Sequence, residues 1–211
     1  MLEVIMQEKT KSEWDEKKIQ ILKVSQQIFA RYGFFKATVD DIAQAMGMKK
    51  GSLYYYYKSK DEIFSDVIHY ESEQFLNELE KALSQEKDSR KKILRFVKFR
   101  LEYFQQVINL HQLTIQAILE IKPLVAKLYR TYIDKEVKLL ANIIEEGVQK
   151  GSFKACNTHK VAKSILTVSE AVKFREFHTT NVLSATEIDY SSIEEEIVYI
   201  TQLILEGLEK K

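Results

Sequence analysis

The sequence predicts an all-α protein, and three observations support this fold class. The 211 residues include one proline and six glycines, whereas β-rich folds need many turns built from these residues. Apolar residues recur at helical spacing, as at Ile93, Val97, Leu101, Phe104 and Ile108. No segment has a convincing strand pattern. We therefore expect about nine helices and no strand.

Composition and charge narrow the class of protein. Hydrophobic residues make up 45% and charged residues 30%, which is typical of a chain that forms a core. The formal net charge is +1, so any surface for nucleic acid must be a local one. The single cysteine, Cys156, excludes an internal disulfide and fits a reducing compartment. With no apolar run of about 18 residues and no signal-peptide pattern, we expect a cytoplasmic protein.

Three helices are predicted near the N-terminus. The first carries an apolar stripe and ends at Gly33, where a left-handed residue is needed. The second begins at Thr38, whose hydroxyl can accept a backbone N–H, and ends at Gly47. The third runs from about Lys49 to Tyr56. Two short helices joined by a tight turn with a glycine are typical of a helix-turn-helix.

The third helix is basic and aromatic. Residues 49–60 contain four lysines and no acid, and Tyr54 to Tyr57 are consecutive. This pattern alone also fits a solvated helix face and packed tyrosines. The order of the preceding elements favours DNA binding, in which the second helix of the motif enters the major groove.

Helical spacing divides the side chains of this segment between two faces. Leu53 and Tyr57 are expected to face a small core with Ile42, Met46 and Phe29. The open side then carries Lys49, Lys50, Ser52 and Tyr55, with Tyr54 and Lys60 placed to reach phosphates. Gly51 has no side chain and would let the helix lie close to bases or phosphate.

The run from Ile21 to Phe64 resembles the N-terminal domain of the TetR family. The matching motifs are Tyr32-Gly33, Thr38-Val39, Asp41-Ile42-Ala43, Ala45-Met46-Gly47-Met48, Lys50-Gly51-Ser52-Leu53-Tyr54 and Ser59-Lys60. The resemblance implies that DNA is contacted by Thr38, Lys50, Ser52, Tyr54, Tyr55 and Lys60. Lys49 stands where a small polar residue is common, and Tyr57 where phenylalanine is common. We predict a DNA-binding domain over residues 13–58.

Residues 59–211 are predicted to form a ligand-binding and dimerisation domain. In the family that the chain resembles, the middle helices surround a pocket and the last two helices form a dimer interface. Candidate pocket residues are Phe99, Tyr103, His111, Gln112, Tyr129, Arg130, Tyr132 and Phe174, and core packing is the alternative role of each aromatic. A buried Arg130 would require an anion. Pro123 is predicted to separate a short helix, which ends near Ile121, from the long helix that follows.

The last helix carries isoleucines along one stripe, and its start is predicted at the capping box Ser192–Glu195. The candidate dimer interface comprises Val161, Ile165, Val168, Ile193, Ile197, Ile200, Ile204 and Leu208. Packing within the monomer is the alternative for these residues.

No residue pattern indicates catalysis, a cofactor or a metal site. His69, His111, His159 and His178 lack metal-ligand spacing with one another and with Cys156. We therefore predict a homodimeric repressor that binds double-stranded operator DNA and is released by a small, mostly apolar molecule. The alternatives are a DNA-binding dimer without an effector, and an enzyme with a vestigial helix-turn-helix. The absence of acids from the basic segment disfavours the enzyme.

Overall fold

The computed structural model describes residues 15–111 and 113–210, and these ranges are helical with no extended strand. Two isolated bridges, Thr114 with Ser184 and Phe153 with Glu209, are the β-type pairings within them. The all-α prediction is confirmed. The helices are α1 (Glu16–Tyr32), α2 (Val39–Ala45), α3 (Lys50–Tyr56), α4 (Lys60–Ser84), α5 (Ser89–His111), α6 (Ile115–Gln149), α7 (Thr158–Thr179), a 3₁₀ turn (Ala185–Glu187) and α8 (Tyr190–Leu208). No helix in these ranges is long and apolar enough to cross a membrane.

The chain divides into two compact units, the first ending at Glu71 and the second beginning at Ser72. Helix α4 contributes its first half to one unit and its second half to the other. The boundary predicted from sequence, between residues 58 and 59, lies just before α4 begins. The assignment of a separate function to each unit stays a prediction.

The core of the first unit is aliphatic and aromatic. Phe29 of α1, Phe34 of the following loop and Phe64 of α4 form a triangle of rings whose centroids lie 4.5–5.6 Å apart. Such tilted and edge-on pairs are favourable beyond the area they bury. Ile21, Leu22, Ile42, Leu53 and Ile63 are fully buried with them. These contacts fix the relative positions of α1, α2, α3 and the start of α4.

The second unit is a bundle in which α6 packs against α5 and α7, and α8 packs against α5 and α7. Helix α6 contains Pro123, so the prediction that Pro123 separates two helices was wrong. An internal proline costs a helix about 3 kcal/mol. The helix continues because Ile118 before the proline and Tyr132 after it are both buried in the bundle.

Helix α8 is capped by Asp189, three residues before Ser192, which is the cap predicted from the Ser192–Glu195 capping box. The carboxylate of Asp189 accepts the backbone N–H groups of Ser191 and Ser192 at 3.1 and 3.3 Å. An aspartate that caps two amides of the first turn satisfies donors that would otherwise lack partners.

The end of α6 packs closely on the segment that follows it. Phe153 is fully buried, and its ring lies where a Cβ atom on Gly147 would have to be. Gly147 is therefore required by the approach of the ring, not by its backbone conformation.

Replacing Gly147 with alanine is expected to destabilise the protein by about 1–3 kcal/mol, because the ring of Phe153 must move out of a packed core. The matched control is Gly207→Ala in α8, where a Cβ meets nothing within 4 Å. That change should raise the free energy of unfolding by ~0.5–1 kcal/mol, since alanine favours helix. Urea unfolding measures both, and equal effects of the two changes would contradict the packing argument.

Candidate nucleic-acid interface

Helix α2 begins with a complete capping box. The Thr38 hydroxyl accepts the N–H of Asp41 at 3.1 Å, and the Asp41 carboxylate accepts the N–H of Thr38 at 2.8 Å. The hydroxyl also donates to the same carboxylate at 2.7 Å. These hydrogen bonds from Thr38 lower the pKa of the Asp41 carboxyl. Thr38 is exposed as well, and its contact with DNA stays a prediction.

The turn between α2 and α3 depends on a glycine. Gly47 has φ = 63°, a conformation that L-residues with side chains adopt at a cost. The N–H of Met48 donates to the Ala43 carbonyl at 2.9 Å and closes the end of α2. This turn sets the direction in which α3 leaves α2.

Helix α3 has one buried side and one open side, as predicted. Leu53 and Tyr57 are fully buried with Ile42, and Phe29 is buried in the same core, while Met46 is half-buried. The opposite side exposes Lys49, Lys50, Gly51, Ser52, Tyr54 and Tyr55. The ring of Tyr55 is 85% exposed, which is unusual for an aromatic residue that contributes to a core. This exposed side could contact a groove and its flanking phosphates.

Gly51 is not required by the fold of the chain. A Cβ atom at this position would meet nothing within 4 Å, and the backbone is helical without a positive φ. A helical glycine lowers stability relative to alanine. The close approach that glycine permits would therefore benefit a partner outside the chain.

Lys50 has a partner that the sequence analysis did not anticipate. Its ammonium lies 2.7 Å from the Asp40 carboxylate on α2, and both side chains are more than half exposed. The hydrogen bond with Asp40 raises the pKa of Lys50. Exposed pairs of this kind stabilise proteins little, so Lys50 can leave Asp40 for a phosphate or base at small cost.

The structure corrects the role of Lys60. Its ammonium donates to the backbone carbonyls of Phe34, Phe35 and Ala37 at 2.7, 3.2 and 2.9 Å. It also lies 4.6 Å from the centroid of the Phe34 ring. A lysine has three N–H donors, and all three are used here. Lys60 thus holds the loop before α2 and has no donor left for a phosphate.

The predicted pocket residues lie in separate aromatic groups of the second unit. Phe99 and Tyr103 pack with Phe75, at centroid distances of 5.2–6.1 Å. Tyr129 stacks on Tyr132 at 5.9 Å. Phe174 contacts Phe177 edge-on, and His111 is half-buried. Gln112 lies outside the described residues. The cavity found in this unit is lined by none of these residues.

Arg130 is exposed, so the argument for an anionic effector at this residue fails. A cavity of about 210 Å³ in this unit is lined by other residues: Leu101, Glu102, Gln105, Ile188, Asp189, Tyr190, Ser191 and Glu194.

A charged network is buried among α5, α6 and α7. Arg100 donates to the carboxylates of Glu136 and Glu170, and the Tyr129 hydroxyl donates to Glu136 at 2.5 Å. Lys173 donates to Glu170 at 2.9 Å. Burial opposes ionisation of Arg100, but the two carboxylates raise its pKa. Burial, together with the charge of Glu136, raises the pKa of Tyr129.

This network was not predicted from the sequence, although one position in α6 indicates it. Glu136 interrupts the stripe of buried residues Tyr132, Leu140 and Ile144 at four-residue spacing. A charged residue at such a position must find buried partners.

The predicted dimer residues fall into two classes. Ile165, Ile193 and Ile197 are fully buried within their own unit, so their assignment to an interface was wrong. They lie on the sides of α7 and α8 that pack into the bundle. Val161, Val168, Ile200, Ile204 and Leu208 are half-buried and remain candidates. Two apolar side chains absent from the prediction, Tyr199 and Leu203, are exposed on α8.

Comparisons with known proteins agree with this architecture. The family model described as bacterial regulatory proteins, tetR family, matches residues 21–67. The chain is 22% identical to the fatty acid metabolism regulator protein of Bacillus subtilis over 204 residues, which cover 92% of this chain and 97% of that protein.

Solved structures share the fold over nearly the whole chain. A transcriptional regulator from Cytophaga hutchinsonii is 29% identical and superposes with a TM-score of 0.77, over 93% of this chain and 100% of that one. The fatty acid degradation regulator FadR from Bacillus halodurans is 19% identical with a TM-score of 0.69, over 92% and 97% of the two chains. The segment 21–67, which holds the helix-turn-helix, thus matches the tetR family, and the chain shares the fold of solved transcriptional regulators over nearly its whole length.

Proposed function

We propose that this protein is a repressor that binds a specific operator as a homodimer and releases it when a small, mostly apolar molecule binds the second unit. The observation that carries the DNA-binding part is Gly51. It lies among exposed residues of α3, where alanine would fit the chain and favour the helix. A missing side chain at that place is useful only if another surface comes very close.

The open side of α3 provides both kinds of DNA contact. Lys49 and Lys50 supply positive charge, and Ser52 and Tyr55 can reach base edges or sugars. In a dimer, two such helices would meet half-sites about one helical turn, ~34–36 Å, apart. The operator is therefore expected to be a near-palindrome.

The exposed apolar residues of α8 support the homodimer. Tyr199 and Leu203 lie one turn apart on the same side of the helix, and Ile200 and Ile204 beside them are half-buried. Contiguous exposed apolar residues favour association with a partner. A symmetric dimer would cover the same residues on both copies.

The effector part of the proposal is supported by two observations. Relatives of the chain are named as regulators of fatty acid metabolism and degradation, and the second unit contains several aromatic groups. Helix α4 belongs to both units, so a ligand that shifts it changes the DNA-binding unit. A coupling of ~1–3 kcal/mol would change operator affinity about 5–150-fold. Since coupling is reciprocal, operator DNA should weaken binding of the effector by the same factor.

Replacing Gly51 with alanine should raise the free energy of unfolding by ~0.5–1 kcal/mol and at the same time weaken operator binding. Selection from a random DNA pool gives the operator, and fluorescence anisotropy gives the affinity. Gly207→Ala in α8, outside the DNA-binding unit, is the matched control for helix stability. Because Gly207 lies one turn from Leu203, sedimentation velocity first checks that this variant is still a dimer, and its operator affinity should then equal that of the wild type. Failure to select any motif with the wild-type chain would overturn the DNA-binding proposal.

Two lysines should respond differently to substitution. Lys50→Ala is expected to reduce the salt slope of DNA binding by about one unit with little change in stability. Lys60→Met should lower stability by about 1–3 kcal/mol, because the partly buried carbonyls of Phe34 and Ala37 lose their donor. Its operator affinity should fall with the salt slope unchanged. If Lys60→Met instead reduces the salt dependence of DNA binding, Lys60 contacts a phosphate after all.

Leu203→Glu is expected to dissociate the dimer, since symmetry places the charge in the interface twice. The dimer dissociation constant should rise at least ~100-fold, with a parallel loss of operator affinity. Sedimentation velocity measures the first effect. Leu183→Glu, at another highly exposed leucine, is the control. A stable dimer in Leu203→Glu would exclude this face of α8 from the interface.

A further inference from the structure

The two cations of the buried network share one carboxylate that is easily reached from water. Glu170 Oε1 accepts from Arg100 at 2.9 Å and from Lys173 at 2.9 Å. The Arg100 and Lys173 side chains are 13% and 11% exposed, whereas that of Glu170 is 35% exposed. Glu136, the other acid, is completely buried. Glu136 is thus fixed in the bundle, while Glu170 occupies the solvent side of the network.

Aromatic rings and a third cation surround this position. The Lys173 ammonium lies 4.1 Å from the centroid of Phe104 and 5.1 Å from that of Phe174. The Lys122 ammonium lies 3.6 Å from the Phe174 centroid. In the described part of the chain, no carboxylate lies within ion-pair distance of Lys122. Phe177 contacts both phenylalanines at 5.7 Å.

The local charge balance is positive. Three cations, Arg100, Lys122 and Lys173, face two carboxylates, Glu136 and Glu170. An excess of positive charge beside apolar rings is complementary to a molecule with an anionic head and an apolar chain.

We propose that the carboxylate of a straight-chain organic acid replaces Glu170 on Arg100 and Lys173, with its apolar chain along Phe104 and Phe174. This rests on the effector part of the proposed function and adds the chemical class of the effector. Glu170 holds the place of that carboxylate when no ligand is bound.

The exchange avoids the usual penalty of opening a buried ion pair. One carboxylate replaces another, so Arg100 and Lys173 keep an anionic partner. The Glu170 side chain rotates out of the network into the solvent. Burial would raise the pKa of Glu170, but Lys173 and Arg100 lower it to about 2. The site therefore favours an ionised carboxylate, and a neutral head group would gain none of this stabilisation.

The exchange also supplies a structural signal. Glu170 belongs to α7 and Arg100 to α5, so their ion pair joins two helices of the bundle. A ligand carboxylate on Arg100 removes that link and frees α7 to shift against α5.

Calorimetric titration of the full chain with decanoate and with 1-decanol tests the proposal. The wild type should bind the acid about tenfold more tightly than the alcohol, as expected for one charge-assisted hydrogen bond. Glu170→Gln should bind decanoate a further ~tenfold more tightly, with no change for decanol, because the competing carboxylate is gone. Lys173→Met should abolish the preference for the acid.

The controls remove an exposed ion pair from the same helix. Glu176→Gln and Arg175→Met, whose side chains bond to each other at the surface, should bind both probes like the wild type. If the circular dichroism of Lys173→Met shows that its helices are lost, the comparison of decanoate affinity between the wild type and Glu170→Gln decides the test. No decanoate binding, or equal decanoate affinity in the wild type and Glu170→Gln, overturns the proposal. These titrations contain no DNA, so their result does not depend on whether an operator is found. If no operator can be selected from the random DNA pool, the repressor function is contradicted and the ligand site is not.

Discussion

Three backbone carbonyls in the loop between α1 and α2 point at one ammonium group, that of Lys60. The loop contains Phe34, whose ring fills the space between α1 and α4, and ends at Ala37, which is fully buried. Helix α2 starts two residues later, so the position of the whole helix-turn-helix follows from this loop. A buried carbonyl without a donor is costly, and a single lysine satisfies two partly buried carbonyls and a third that is exposed.

This arrangement explains why local and distant features of the DNA-binding unit were not equally predictable. Thr38, Gly47 and Leu53 act within a few residues of their own position, through a cap, a turn and a helical stripe. Such features are written in short sequence patterns. The acceptors of Lys60 lie 23–26 residues away in the chain, and nothing near Lys60 indicates them.

The second unit was less predictable for a related reason. Its helices follow from periodicity, yet the stripe does not tell which apolar residues face the protomer's own bundle and which face outward, as Ile193 and Leu203 demonstrate. The network at Arg100 likewise requires three helices to be placed first. Pro123 was misread because packing on both sides outweighs a local preference.

The pairing of Lys50 with Asp40 has a consequence for the search along genomic DNA. A lysine that is already paired with a carboxylate gains less binding free energy from a random phosphate, because one anionic partner is exchanged for another. The exchange also leaves the Asp40 carboxylate unpaired next to the negatively charged DNA. If Lys50 contacts DNA as proposed, each non-specific site of a genome loses only the small free energy of this exposed pair as a competitor. Only a sequence that offers Lys50 a better acceptor in the groove compensates for the lost partner. An acid beside the recognition helix thus lowers the affinity for all DNA. It raises the ratio of the affinity for the operator to the affinity for non-specific sites.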